Sequence, residues 1–87
     1  MNFNITGTVA EINPVQEFET FKVQEFTIQT EGDFPTFVTL KLMNKNLDKY
    51  SNNLMEGMKI TCHFNIKGYK AKNGSYYNNL DCWKIDI

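Results

Sequence analysis

The chain has 87 residues, enough for one domain over 1–87 and too few for two. Its 41% hydrophobic and 14% aromatic content excludes a disordered chain, and no apolar run is long enough to cross a membrane as a helix. The net charge is only −1, which argues against a strongly basic nucleic-acid binder. It is also uneven: residues 11–33 carry six acidic groups against Lys22, and residues 34–87 carry eight lysines against four acids.

The predicted elements run strand, strand, strand, short helix, strand, strand. Residues 2–13 form the first strand, with Phe3, Ile5, Gly7 and Val9 on one face. Ile12 breaks that parity, which predicts a bulge near Ala10 and Glu11, and Pro14 ends the strand. Gly7 in mid-strand suits the sharp coil of a barrel corner. Residues 21–30 form the second strand, with Phe26 and Ile28 inward and the Thr, Gln and Glu residues outward. Glu31-Gly32-Asp33 is a turn.

The third strand spans about 35–43, with Val38, Leu40 and Leu42 on one side and Phe37, Thr39 and Lys41 on the other. Residues 45–54 fit a short helix capped by Asn44 or Asn46, its stripe Leu47, Tyr50 and Leu54, its stop Gly57. The fourth strand runs over 58–69. Ile60, Cys62, Phe64 and Ile66 face one way; Thr61, His63, Asn65, Lys67 and Tyr69 face the other. Asn73-Gly74 is a hairpin turn signal. In the fifth strand, 76–87, the parity changes between Cys82 and Trp83, which predicts a second bulge at 81–83. Trp83 is expected in the core.

The expected fold is all-β: a five-stranded OB-fold barrel with one short helix between strands 3 and 4. Closure removes exposed edges, and the helix stripe would plug one end. A small antiparallel sandwich competes, but five strands are few for one.

The inventory gives no enzyme. His63 is the only histidine, and no Ser-His-Asp set, Walker loop, dinucleotide fingerprint or metal cluster is present in the sequence, so no cofactor and no metal is expected. Cys62 and Cys82 read as buried free thiols. The opening Met1 to Thr6 lacks the basic and apolar regions of a secretory leader, so a cytoplasmic location is expected.

The stretch Phe37 to Tyr50, the segment Glu56 to Phe64, and Tyr69 with the lysine-rich loop, Gly74 and Tyr77 together resemble the bacterial single-stranded-DNA-binding proteins over about residues 35–82. The chain ends at Ile87, without the linker and acidic tip of those proteins, so recruitment through such a tail is not expected. The chain is also similar to a family of small OB-fold domains of Bacteroidota and their phages. That likeness is carried by Ile5-Thr6-Gly7, Pro14-Val15-Gln16, Gln24-Glu25-Phe26 and Trp83-Lys84-Ile85.

Binding a single strand takes a basic track for phosphates and aromatic rings on which bases stack. Off the core parity stand Phe37 and Lys41 on the third strand and Lys67 and Tyr69 on the fourth, followed by Lys70, Lys72 and Tyr77 around the hairpin. By resemblance, Phe37 and Tyr69 match positions of stacking aromatics. Phe18, Phe21 and Phe34 either clamp a strand or cover a barrel end. Only one of Tyr76 and Tyr77 is expected to point outward.

The expected function is non-catalytic single-stranded DNA binding, in replication, repair or recombination, by a homo-oligomer (dimer or tetramer) with no membrane partner. RNA is an accepted alternative ligand. The alternative function is a protein-interaction OB domain or assembly subunit without nucleic acid, suggested by the acidic first half.

Overall fold

A computed structural model describes residues 2–87. Its elements in chain order are β1 (Phe3–Ile12), β2 (Gln16–Glu17), β3 (Lys22–Thr30), β4 (Phe37–Met43), α1 (Asn44–Tyr50) with a 3₁₀ turn over Ser51–Asn53, β5 (Lys59–Lys70) and β6 (Tyr76–Asp86). The sheet order is β1-β5-β6-β4-β3-β2, and a further β1–β3 pairing closes the five long strands into a ring. Neighbours in the ring are antiparallel except β4 and β6, which run parallel and meet at Lys41 and Asp81. This is the expected OB-type barrel. The extra strand, β2, is a two-residue hairpin partner of β3, pairing Gln16 with Val23 and Glu17 with Lys22.

Alternation fills the barrel. Val9, Phe26, Ile28, Leu40, Leu42, Ile60, Cys62, Phe64, Cys82 and Ile85 are buried, each large apolar chain contributing about 1.5–3 kcal/mol. The helix stripe of Leu47, Tyr50 and Leu54 packs against this cluster. Ile66 has the core parity but is exposed, because β5 and β6 run on beyond the barrel as a two-stranded arm. Both cysteines are free and buried. A hydrogen bond with Cys82, together with burial, holds the Cys62 thiol far above its ordinary pKa.

Both bulges occur. Between β1 and β3 the register steps from Val9↔Ile28 to Glu11↔Thr27, leaving Ala10 unpaired. Between β5 and β6 it steps from His63↔Lys84 to Phe64↔Cys82, leaving Trp83 unpaired. The second bulge corrects the expectation for Trp83. The extra residue turns both Trp83 and Lys84 outward, and only Cys82 and Ile85 on either side go in, so the indole is 39% exposed and tilts against His63. Gly7 has a different reason from corner flexibility: a Cβ there would lie 2.6 Å from the Gln29 carbonyl oxygen, so the glycine permits close approach of β1 and β3.

Two further expectations are corrected. Neither Asn44 nor Asn46 caps the helix. Met43 occupies the cap position without a side-chain bond, and Asn44, at φ 50, accepts the Lys22 backbone N–H through Oδ1 at 3.1 Å. Gln24, expected outward, shares the parity of Phe26 and Ile28 and is buried. Its Nε2 donates to the Asn13 carbonyl at 3.0 Å and its Oε1 accepts from Ser51 Oγ at 2.8 Å, so it ties the end of β1 to the helix exit.

Candidate nucleic-acid interface

The outward face of β3 and β4 is exposed or half-buried over residues 25–29 and 37–43. Along β4 it presents Phe37, Thr39 and Lys41, opposite Gln29, Thr27 and Glu25 of β3. Thr27 and Thr39 share a hydrogen bond between their hydroxyls at 2.8 Å. Phe37 is 65% exposed and has no aromatic partner among the described residues.

Two projections flank this face. One is the turn between β2 and β3. The Phe18 N–H donates to the Phe21 carbonyl at 2.7 Å, and the two rings stack with centroids 4.7 Å apart. The other is the β5–β6 arm, closed by Gly74 at φ 90 and bonds between Ala71 and Ser75 and between Gly74 and Ala71. On one side of the arm, Tyr69 and Tyr77 are a register pair with stacked rings 5.6 Å apart. On the other side, Lys70 Nζ lies 5.6 Å from the Tyr76 ring centroid. Neither Tyr76 nor Tyr77 turns inward, since the arm extends past the core.

Where the β2–β3 turn, β4 and the arm converge, they enclose a groove of about 350 Å³. Phe21, Val23 and Met43 give it apolar walls, and Lys41, Lys67, Asn79 and Asp81 give it polar ones. Lys67 Nζ lies 2.8 Å from Asp81 Oδ2. That bond and the carboxylate's charge raise the lysine's pKa above its ordinary value.

The seven residues expected at the site therefore fall into groups. Lys41 and Lys67 line one groove. Tyr69 and Tyr77 form one stacked pair beside it. Phe37 sits four residues along β4 from Lys41, about 13 Å away at the usual rise, and does not line the groove. Lys70 ends β5 on the side of the arm opposite Tyr69, and Lys72 is exposed in the turn. Sequence reasoning left out Asp81 and Asn79, and gave Phe21 only as a loop ring. The one signal that could have found them is parity: Asn79 and Asp81 alternate with Leu80 on the strand that carries Tyr77.

Elsewhere, on the outside of β5 and β6, His63 Nε2 lies 2.7 Å from Asp86 Oδ2. This bond holds the Asp86 carboxyl below its ordinary pKa, with Lys84 adding to the effect. Among the described residues, no group of three or more His, Cys, Asp or Glu side chains is placed to hold a metal ion. No helix there is long and apolar enough to cross a membrane.

A family model described as "Domain of unknown function (DUF3127)" matches residues 4–86. No curated protein sequence matches. Among solved structures, the chain is similar to the mitochondrial single-stranded-DNA-binding protein Rim1 of S. cerevisiae, with TM-score 0.80 and 10% identity over 100% of this chain and 94% of that one. It is similar to the second single-stranded-DNA-binding protein (SSBb) of Mycobacterium smegmatis, with TM-score 0.76 and 10% identity over 98% and 82%. It is also similar to the single-stranded-DNA-binding domain of a Synechococcus sp. protein, with TM-score 0.77 and 10% identity over 99% and 93%. At such identities these likenesses establish the shared fold alone.

Proposed function

This chain belongs to the DUF3127 family, and from that starting point we propose that it is a non-catalytic module that binds single-stranded DNA. The strand would cross the outward face of β3 and β4, between the Phe18–Phe21 turn and the β5–β6 arm. OB barrels bind oligonucleotides on the corresponding face, between the corresponding loops. The observation that carries the proposal is the set of exposed rings around that face: Phe37 on β4, Phe21 on the turn and the Tyr69–Tyr77 pair on the arm. An exposed ring costs solubility and contributes no core, whereas a base stacked on it gains about 1–3 kcal/mol.

Phosphate contacts in this proposal come from Lys70 and Lys72 on the arm, which have no ion-pair partner among the described residues. The chain has no arginine, so these contacts are point charges, and the salt dependence is modest because few lysines contact phosphate. Exposed Phe3 and Ile66 favour a homo-oligomer, which would bury them.

Fluorescence anisotropy of labelled oligo-dT at low salt tests the proposal. Saturable binding at micromolar protein is expected; no change at tens of micromolar rejects it. Competition with an RNA oligomer of the same sequence decides which nucleic acid is preferred.

A further inference from the structure

The groove beside Asp81 is poorly suited to a phosphate. Lys67 is already engaged by Asp81 at 2.8 Å. Lys41 stands in register between Glu25 on one side and Asp81 on the other. Two lysines thus stand beside two carboxylates, Lys67 in an ion pair and Lys41 as a strand neighbour of both acids, and little net charge remains to draw an anion. A phosphate in the groove would also face Asp81 directly. That side chain is only 21% exposed, so solvent would screen the repulsion less than at the surface.

The groove does suit a neutral ring with a polar edge. Lys67 takes Oδ2 of Asp81, and Oδ1 has no ion-pair partner among the described residues. An acceptor, Oδ1, therefore stands beside a donor, the Lys67 ammonium. Phe21 and Met43 line the same groove with apolar surface, and its volume of about 350 Å³ lies at the small end of ligand pockets. The pairing edge of each nucleobase carries an adjacent donor and acceptor. In thymine they are N3–H and O4, in cytosine N4–H and N3, in adenine N6–H and N1, and in guanine N1–H and O6. An acceptor beside a donor meets all four without choosing among them, as base edges are read once a base leaves its stack.

We propose that this groove takes the pairing edge of one unpaired nucleobase of any identity. Asp81 Oδ1 accepts the base N–H, Lys67 Nζ donates to the neighbouring acceptor, and Phe21 covers the ring. The inference rests on the single-strand reading and sharpens it in two ways. Binding at the groove requires a free pairing edge, so a duplex is refused there. Asp81, a negative charge at a DNA-binding face, then aids binding.

The test compares oligo-dT with an N3-methylthymidine oligomer of the same length, which stacks but lacks the N3–H donor. Wild-type protein should bind the methylated oligomer about tenfold more weakly, in line with a lost hydrogen bond to a charged acceptor. Asp81→Ala should bind oligo-dT more weakly by a similar factor, and should no longer distinguish the two oligomers. Asp81→Asn, nearly the same shape, should weaken oligo-dT binding a few-fold and serves if the alanine variant is unfolded. Tighter binding and a steeper salt dependence in either variant would identify a phosphate site and overturn the inference. Equal wild-type affinity for both oligomers overturns the inference and leaves the single-strand reading standing. No wild-type binding to oligo-dT overturns both.

Discussion

Tyr69 and Tyr77 face each other across the β5–β6 arm, their rings stacked 5.6 Å apart and 28° from parallel, beyond the end of the hydrophobic core. Their stacking adds little to the fold, because an exposed cross-strand aromatic pair is worth roughly 0.2–1 kcal/mol. A base added to the stack gains more. Tyr69→Ala should weaken oligo-dT binding by about 1–3 kcal/mol, measured by anisotropy, with a melting temperature close to wild type. A variant that melts early and binds normally would make the pair structural.

Gly7 stands where β1 passes close to β3. A Cβ there meets the Gln29 carbonyl oxygen at 2.6 Å and Ile28 Cδ1 at 3.3 Å, and the nearer atom is backbone that cannot swing away. Gly7→Ala should cost about 1–3 kcal/mol, as overpacking does, by urea denaturation. Gly68→Ala is the control. Its nearest neighbour is the Asn78 side-chain oxygen at 3.0 Å, on an exposed arm, so the effect should be smaller.

Gln24 is buried with both ends of its amide used, one by the Asn13 carbonyl and the other by the Ser51 hydroxyl. Replacement by leucine keeps the volume and strands both partners. Gln24→Leu should destabilise the protein by about 1–3 kcal/mol in chemical denaturation, the cost of a buried polar group left unpaired. Ser51→Ala removes one partner only and should cost less.

The barrel was legible because its signals are local. The alternation of Leu40 and Leu42 with Thr39 and Lys41 marks the inside of β4, and the parity breaks at Ile12 and Trp83 mark the two bulges. What was hidden depends on closure. β2 is two polar residues, too short to show a period, and exists only because β3 pairs with it. Gln24 reads as outward from its polarity alone, although its parity with Phe26 and Ile28 turns it inward, where Asn13 and Ser51 meet it from distant segments. Trp83 looked like core because a bulge's position does not say which of its residues turns out. The groove is hidden most deeply: Phe21 and Asp81 lie at opposite ends of the chain and share it only after the ring has closed.

His63 and Asp86 offer a titration test on the far side of β5 and β6. The hydrogen bond from His63 depresses the Asp86 pKa in the folded protein. A carboxyl with a depressed folded pKa contributes stability above its unfolded pKa, and the contribution is lost as pH falls through the lower folded value. The Asp86 carboxylate is exposed, so the effect on stability should be small. NMR titration should find Asp86 ionising below the ordinary aspartate range, and His63→Ala should move it back upward. An unchanged Asp86 midpoint in that variant would leave Lys84 as the cause.

Lysines that look alike in the sequence should differ in salt dependence. Lys70 and Lys72 have no acidic partner among the described residues, whereas Lys67 is held by Asp81. A lysine that neutralises one phosphate of a single strand releases counterions and adds about 0.7 to the slope of log K against log salt. Replacing Lys70 and Lys72 together by alanine should flatten that slope by up to about 1.4, or about 0.7 for each phosphate no longer neutralised. Lys67→Ala should leave the slope nearly unchanged, because its charge is already spent on a carboxylate, even where affinity falls. Titrations over a series of salt concentrations measure this directly. A large change of slope for Lys67→Ala, with none for the double variant, would move the phosphate track from the arm into the groove.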